Sequence, residues 1–390
     1  MIIIKNTFES QYNKLVPIVL IFLTFIPTSS LTDIVQFIVV LILWIFNGDR
    51  HIDYSFLIWV LSFTLGISSV VLLENTIYTS FVLHELARLI YFALLVSVCR
   101  TVTMELKYLF QLCLIVILLH FSIQLGELLR IPQILSLIEN IYLNGDITNA
   151  HYLLSQGSLG GGFRSGSIFI NPNVYACYTY LSIGVFIQYT HTYKKKTLQY
   201  ILMALCFFSV FLTGSRMGLA SFFIIIFYYT IRYRSNSVRI VDWFFSSILL
   251  FTLIILFISN YHSVLKFFLG ARAFDFSSSY ALSLGTKIDN FFYYIKNSNM
   301  VYLLFGCLGS YLSQIPVDME YGYIIEWYGL LGLFWYFPLV FRPLRLNNIT
   351  KIIGNTCVLA ILLTAIAATS LLNIKVFPYI CIIGFTKKVI

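Results

Sequence analysis

The sequence predicts an all-α fold: a polytopic membrane helix bundle of about twelve transmembrane helices that forms a single integral membrane domain over residues 1–390. Hydrophobic residues make up 59% of the chain and charged residues only 11%, a composition that excludes a soluble globular domain. Apolar runs of about 20 residues, the length of helix that crosses a hydrocarbon core, recur along almost the whole chain. Because these runs lack strand-like alternation, helices rather than a barrel would satisfy their backbone in lipid.

Twelve apolar segments are predicted to span the membrane, and the second and last are the shortest. They cover 14–31, 32–46, 53–73, 77–99, 106–126, 168–190, 197–213, 216–231, 241–259, 319–341, 352–372 and 375–387. No small-residue cleavage site follows the first segment, so we expect a retained helix rather than a removed signal peptide. Seven cysteines stand singly in or beside the spans, and this spacing indicates neither a disulfide framework nor a metal site.

The distribution of lysine and arginine predicts that both termini are cytoplasmic. That topology places sixteen of the 25 basic residues in the cytoplasm, including clusters at 194–196, 232–239 and 342–351. Topology and anchoring against anionic membrane lipid then explain the net charge of +9, and no nucleic-acid partner is required.

The same topology leaves two long external loops, 128–167 and 260–318. Loops longer than about 15 residues are usually functional or disordered. Ile, Leu, Phe and Tyr occur throughout both loops, which favours order, and the stretch from Thr286 to Asn297 has a helix-like pattern that can lie at the membrane interface. We therefore expect an ordered cap on the external side of the bundle.

A candidate anion site precedes the sixth span, in GGGFRSGSIFINPNVYA. Asn171 can cap free amides, Pro172 suits the first helical position, and Asn173 completes the Asn-Pro-Asn helix start. Exposed N–H groups at a helix start favour a phosphate, and Arg164 adds a charged fork. Arg164, Asn171 and Asn173 are thus candidate phosphate-binding residues. The alternative is a glycine-rich loop with an ordinary helix cap.

A second arginine lies on the same side, in the tight hairpin LTGSRMGLA. Gly214 can end one helix and Ser215 can cap the next, so Arg216 falls in a first turn, where the helix dipole disfavours a cation by about 0.3–1 kcal/mol. Arg216 therefore favours an anionic partner, either a ligand or a lipid phosphate. The second external loop adds two further cations, Arg272 and Lys287.

Two groups of ionisable residues remain. Asp318 and Glu320 stand at the start of the tenth span; such carboxylates are commonly solvated, but one of them is the candidate general base, since no external histidine is well placed among these motifs. His84, Glu85 and Arg88 lie within one turn of the fourth span. Glu85 and Arg88 can form an ion pair that faces neighbouring helices, or the group can line a path for lipid or protons.

The order of these motifs resembles that of the bacterial O-antigen polymerases and the related O-antigen ligases. The resemblance depends on RSGSIFINPNVYA, TGSRMGLA, LLFGCLGS and DMEYGYIIEWYGLLGL, and it covers Arg164 to Leu333, less than half of the chain. It implies lipopolysaccharide biosynthesis by glycosyl transfer, without a cofactor, between an undecaprenyl-diphosphate-linked glycan donor and acceptor. The reaction would take place at the periplasmic face of the bacterial inner membrane, with a chain-length regulator protein as a partner.

By motif position, the resemblance assigns Arg164 and Arg216 to the diphosphate. Lys287 fits the family's spacing of the loop cation better than Arg272 does, but an ammonium lacks the planar bidentate grip of a guanidinium, so Arg272 is preferred. The ligases open the last motif with a histidine. Asp318 at that position favours a polymerase and is the candidate base or acceptor-orienting residue.

The expected reaction is an inverting displacement that needs no metal. Arginines stabilise the leaving diphosphate, and Asp318 or Glu320 takes the proton of the attacking sugar hydroxyl. A metal held between these two carboxylates is the alternative. Two other functions stay open: a ligase that transfers glycan to lipid A core, and a flippase for lipid-linked oligosaccharide. A flippase would show related halves with interrupted spans, whereas the external loops of this chain are asymmetric.

Overall fold

The computed structural model describes most of the chain. It covers 2–27, 30–47, 52–74, 77–142, 165–169, 172–232, 290–308, 310, 319–346, 351–366, 368, 371–386 and 388–389. The ninth predicted span, 241–259, lies outside these residues.

The described chain is mostly helical, which confirms the all-α class. The helices are α1 (Ile2–Phe25), α2 (Ser30–Phe46), α3 (Tyr54–Glu74), α4 (Thr79–Thr101), α5 (Leu106–Leu128), α6 (Pro132–Leu137), α7 (Pro172–Thr192), α8 (Lys196–Leu212), α9 (Arg216–Arg232), α10 (290–297), α11 (Met300–Phe305), α12 (Glu320–Tyr328), α13 (Gly332–Val340), α14 (Arg342–Leu346), α15 (Lys351–Ala365) and α16 (Phe377–Ile380). Single π-helical turns, Ile138–Tyr142 and Cys381–Phe385, extend α6 and α16. Two short strands, β1 (Thr103–Met104) and β2 (Lys388–Val389), pair in parallel.

Three helices are long and apolar enough to cross a membrane, judged by length and composition. They are α3, residues Val82–Thr101 of α4, and α5. They coincide within a few residues with the third, fourth and fifth predicted spans and indicate a membrane protein. Other apolar helices in the described part, such as α8 and α15, have only 10–17 residues.

The tenth predicted span, 319–341, is not one helix. It breaks at Gly329, which has a φ of 65°, into α12 and α13. The preceding segment packs into the break, where Leu330 N–H donates to Leu303 O at 2.9 Å and Cys307 N–H donates to Glu326 O at 2.9 Å. The LLFGCLGS motif and the last motif are therefore in backbone contact.

The last two predicted spans are shorter than expected. α15 ends at Ala365 rather than at residue 372, and the chain then forms turns over 371–376. The twelfth span, 375–387, consists of α16 and its π-helical turn over Phe377–Phe385. Continuous hydropathy at the sequence level does not distinguish these buried turns from a helix.

Two ends of the bundle can be told apart by their polar contacts. At the Arg342 end, Arg342 forms an ion pair with Asp53, which directly precedes α3. At the Glu320 end, where α3 finishes, Tyr302 OH donates to Glu74 Oε1 at 2.7 Å. Burial and the Glu74 carboxylate raise the pKa of Tyr302, so this phenol stays a neutral donor. The contact fixes α11, within the predicted second external loop, against α3.

α7 is the centre of the bundle. It packs against α5, α8 and α15 and is buried along almost its whole length. A Cβ at Gly184 would lie 2.7 Å from the Thr356 hydroxyl of α15, so the glycine allows a close approach of the two helices. α7 is therefore enclosed by neighbouring helices from its first turn, at the Glu320 end, to its last turn.

Candidate functional site

The segment 165–169 follows Arg164 in the sequence and is held between α5 and α8. Ser165 donates its backbone N–H to Leu212 O at 2.9 Å and its hydroxyl to the Glu127 carboxylate. Ser165 is fully buried. The segment is therefore anchored at its first residue to the last residue of α8.

The hairpin between α8 and α9 has the predicted capping structure. Gly214 has a φ of 57°, the left-handed conformation that commonly ends a helix. Ser215 Oγ accepts the N–H of Gly218 at 2.8 Å, an N-cap hydrogen bond. α9 begins at Arg216, as predicted, and the side chain of Arg216 lies outside the described part.

Ser215 also joins this hairpin to the start of α7. Its hydroxyl donates to Asn173 Oδ1, and Tyr180 OH donates to Gly218 O at 2.5 Å. α7 begins at Pro172, the predicted first helical position. The motif that contains Asn173 and the motif that contains Arg216 therefore meet, and Asn173 contributes to the contact between them.

Glu320 is the first residue of α12 and is fully buried. Both carboxylate oxygens accept from Leu371 N–H, at 3.1 and 3.2 Å. Cys177, in the second turn of α7, lies close enough to Glu320 for an electrostatic interaction. The interpretation of Glu320 as a solvated terminal charge is therefore wrong, while its role as a general base stays a prediction.

The turn 371–376 connects α12 to α7. Asn373 Oδ1 accepts the backbone N–H groups of Lys375 and Val376, at 3.0 and 3.2 Å. The carbonyl of Lys375 accepts from Tyr178 OH at 2.5 Å. The turn is thus hydrogen-bonded internally and to α7, as well as to Glu320.

Lys375 is a charged residue at this end that the motif analysis did not assign. Its Nζ lies 5.4 Å from the ring centroid of Tyr142 and 6.0 Å from that of Phe169, in the segment 165–169. The signal in the sequence was a single lysine in the apolar run LLNIKVFPYI. Lys375 is the first residue of the twelfth predicted span, on the external side of the predicted topology.

One face of α5 carries polar residues that the sequence reasoning also missed. His120 Nδ1 lies 2.9 Å from Ser167 Oγ, and Gln124 Nε2 donates to Ser165 O at 3.3 Å. Together with Glu127 these side chains recur at helical spacing and hold the segment 165–169. Polar residues at i, i+4 and i+7 within an apolar span were the available signal.

The predicted ion pair between Glu85 and Arg88 is confirmed. Tyr323 OH and Tyr328 OH of α12 donate to the two Glu85 oxygens, at 2.8 and 2.5 Å, and Arg88 donates to Tyr323 OH as well. His84 is exposed and outside this cluster. The geometry favours the interpretation in which the pair faces a neighbouring helix, here joining α4 to α12.

Several predicted site residues lie outside the described part of the chain. They are Arg164, Asn171, Arg272, Lys287 and Asp318. Of the predicted set, the structure brings together the start of α7 with Asn173, the start of α9 with Arg216, and the start of α12 with Glu320. Ser215 links the starts of α7 and α9, and the turn 371–376 links the start of α12 to α7.

Comparisons with models of protein families, with curated proteins and with solved structures give no match to this chain.

Proposed function

We propose that this chain is an O-antigen polymerase, an inverting and metal-independent membrane glycosyltransferase. Its substrates would be undecaprenyl-diphosphate-linked oligosaccharide repeat units, polymerised at the periplasmic face of the bacterial inner membrane. The proposal draws on the resemblance of the ordered motifs and on the way in which these motifs pack together.

The observation that carries the proposal is the meeting of distant motifs at the Glu320 end. Ser165 is bonded to Leu212, and Ser215 is bonded to Asn173. A transferase acting on lipid diphosphates needs anion-binding groups and a proton acceptor on one side of the membrane. The motifs of the two predicted arginines are in contact, and Glu320 of the last motif is joined to α7 through the turn 371–376.

The packing of LLFGCLGS against the last motif gives further support. Cys307 N–H donates to Glu326 O, and Leu330 N–H donates to Leu303 O. In the resemblance these are the third and fourth pieces of one ordered series. Their backbone contact places the two motifs in one packed unit at the break between α12 and α13.

For the finer topology, we infer twelve spans with both termini in the cytoplasm. In support, Lys194 and Lys195 in the loop between α7 and α8, and Lys196 at the start of α8, are exposed, as expected for cytoplasmic positions. The Glu320 end would then face the periplasm, and the Arg342 end the cytoplasm.

The proposed chemical step is a single displacement at the anomeric carbon of the donor glycan. A hydroxyl of the acceptor sugar forms the new bond to that carbon as the bond to the diphosphate oxygen breaks with inversion. The hydroxyl proton goes to a carboxylate, and undecaprenyl diphosphate leaves with both electrons of the broken bond. Arg164, Arg216 and Arg272 or Lys287 would stabilise the charge on that leaving group.

The two carboxylates take different roles in this scheme. Glu320 is buried and accepts a hydrogen bond from Leu371 N–H, so it is suited to hold the turn 371–376 in place. The general base is then Asp318, two residues earlier. This division follows from the requirement that a base reach the hydroxyl from which it takes a proton.

Deletion of the gene in the parent cell, with complementation, tests the function. The lipopolysaccharide of a polymerase mutant carries single repeat units, and the complemented strain regains the long-chain ladder. Lipopolysaccharide without any repeat unit would instead indicate a ligase. Repeat units trapped on the cytoplasmic side would indicate a flippase, and an unchanged ladder would contradict all three.

A further inference from the structure

Lys375 is a nearly buried cation without an ion-pair partner among the described residues. Its residue surface is 7% exposed. Within the described residues, its ammonium has neither an ion-pair partner nor a hydrogen-bond acceptor. An ammonium carries three N–H donors, and a buried charge is normally paired. The donors of Lys375 are therefore available to a ligand.

Hydrogen bonds fix the backbone of Lys375, and this limits where its side chain can lie. Asn373 Oδ1 binds its N–H and Tyr178 OH binds its carbonyl. The rings of Tyr142 and Phe169 lie on the ammonium at 5.4 and 6.0 Å, a contact that stabilises a cation without using its N–H donors. This arrangement holds the charge at one place and leaves it able to bind an anion.

The ionisable neighbours also have unused polar atoms. Asp33 acts electrostatically on Lys375 but does not contact it, and its Oδ1 is buried without a partner among the described residues. The charge of Lys375 also acts electrostatically on His120. The Nε2 of His120 is buried and has no hydrogen-bond partner among the described residues. When Ser167 Oγ donates to Nδ1 of His120, Nε2 carries the proton and is a second donor near Lys375.

We infer that Lys375 binds a phosphate group of the lipid-diphosphate substrate, an inference that rests on the proposed function. Phe169 lies in the segment that follows Arg164, and the turn of Lys375 is bonded to Glu320. A phosphate on Lys375 would therefore lie between the motif of the first predicted arginine and the start of α12. Phosphate oxygens accept charge-assisted hydrogen bonds from a lysine ammonium.

Binding of undecaprenyl diphosphate to the purified full chain tests the inference. The protein is placed in phosphatidylcholine nanodiscs, and wild type is compared with Lys375→Met, Lys375→Arg and Lys296→Met. Lys296 is exposed on α10, so Lys296→Met removes the same charge elsewhere on the molecule. Size-exclusion profiles and tryptophan fluorescence verify that each variant is folded.

We expect the dissociation constant for undecaprenyl diphosphate to rise at least about tenfold in Lys375→Met, because a hydrogen bond to a charged group is lost. Lys375→Arg and Lys296→Met should bind as wild type does. Equal affinity in Lys375→Met and wild type, or no binding by wild type, would overturn the inference. If phosphatidylglycerol in the nanodisc weakens binding to wild type but not to Lys375→Met, a lipid headgroup occupies the site and the substrate assignment is overturned.

A second measurement on the wild-type protein keeps the test valid if Lys375→Met does not fold. Undecaprenyl diphosphate should slow the chemical acetylation of Lys375, followed by mass spectrometry, without slowing that of Lys296. Acetylation of Lys375 at the same rate with and without the lipid would contradict the inference.

The cell assay separates failure of the inference from failure of the proposed function. If the gene is not needed for the long-chain ladder but Lys375→Met loses lipid binding, the site stands and the polymerase proposal fails. If the ladder requires the gene and Lys375→Met both binds and polymerises normally, the inference alone fails.

Discussion

Ser215 illustrates how a single side chain organises the candidate site. Its hydroxyl caps α9 at Gly218 N–H and at the same time donates to Asn173 Oδ1 of α7. The capping role follows from the local sequence, because serine before a helix start is a common N-cap. The contact with Asn173 could not be predicted, since it depends on how α7 and α9 pack.

Replacement of Ser215 by alanine should destabilise the protein by about 1 kcal/mol from the lost cap, with a further 0.5–1.5 kcal/mol or so from the lost Asn173 contact. The measurement is the thermal unfolding midpoint in detergent, with Ser122→Ala as the control. Ser122 is exposed, and among the described residues its hydroxyl bonds only to Leu118 O of its own helix. An unchanged midpoint for Ser215→Ala would show that the two bonds do not contribute to stability.

The roles of the two carboxylates can be separated by conservative variants. Asp318→Asn should abolish long-chain synthesis without lowering the unfolding midpoint, because it removes the base alone. Glu320→Gln should keep most activity, since an amide oxygen still accepts from Leu371 N–H, whereas Glu320→Ala should lower the midpoint. If only Glu320→Gln loses activity, the roles of Asp318 and Glu320 are reversed.

At the scale of elements, the break between α12 and α13 is the main departure from the sequence prediction. From Tyr321 to Leu333 the run is apolar except for Glu326, so hydropathy alone predicts one helix. The break requires Gly329 in a left-handed conformation, and Gly306, with a φ of 88°, faces it. A Cβ on Gly306 would lie 2.2 Å from Trp327 O, and one on Gly329 would lie 2.3 Å from Leu304 O.

Gly306→Ala and Gly329→Ala should therefore each destabilise the protein by at least about 1–3 kcal/mol, the cost of a left-handed backbone for a residue with a side chain. The steric conflict with the opposite backbone adds to this. Unfolding midpoints measure the effect, and Ser68→Ala, at an exposed position of α3, is the control. Wild-type midpoints for both glycine variants would contradict the packing of LLFGCLGS against the last motif.

Helix starts that depend on local chemistry were predicted well, and contacts between distant elements were not. Pro172 and Arg216 begin their helices as expected, because proline at a first turn and serine at a cap act locally. The turn 371–376 is longer than the connection expected at 373–374, since its amides are satisfied by Asn373 and Glu320 rather than by a helix. Asn373 is 2 residues from Lys375, so this partner lies within reach of local sequence patterns. Glu320 is 51 residues from Leu371, and local patterns cannot predict that contact.

For the whole molecule, the proposed topology places the Glu320 end outside the cell membrane and the Arg342 end inside. α3 connects Asp53 at one end to Glu74 at the other, and its 21 residues have the length of one membrane crossing. The orientation depends on the distribution of basic residues, which acts during membrane insertion.

Labelling of single introduced cysteines checks this orientation. All seven native cysteines are buried, so a membrane-impermeant maleimide should react slowly with the wild type. Lys296→Cys should react in cells whose inner membrane is intact, and Lys195→Cys only after that membrane is opened. Both positions are exposed. The reverse pattern would place the Glu320 end in the cytoplasm and contradict the proposed function.

Polymerisation by the purified full chain tests most directly whether this protein is a metal-independent polymerase. The chain is supplied with undecaprenyl-diphosphate-linked repeat units in liposomes that contain EDTA. We expect a ladder of elongated lipid-linked glycans with release of undecaprenyl diphosphate. The ladder should be lost in Arg164→Ala and Arg216→Ala but kept in Lys296→Ala. No elongation by folded wild-type protein, or equal ladders from the two arginine variants, would contradict it. Loss of the ladder in EDTA and its return with magnesium or manganese would contradict the metal-free mechanism.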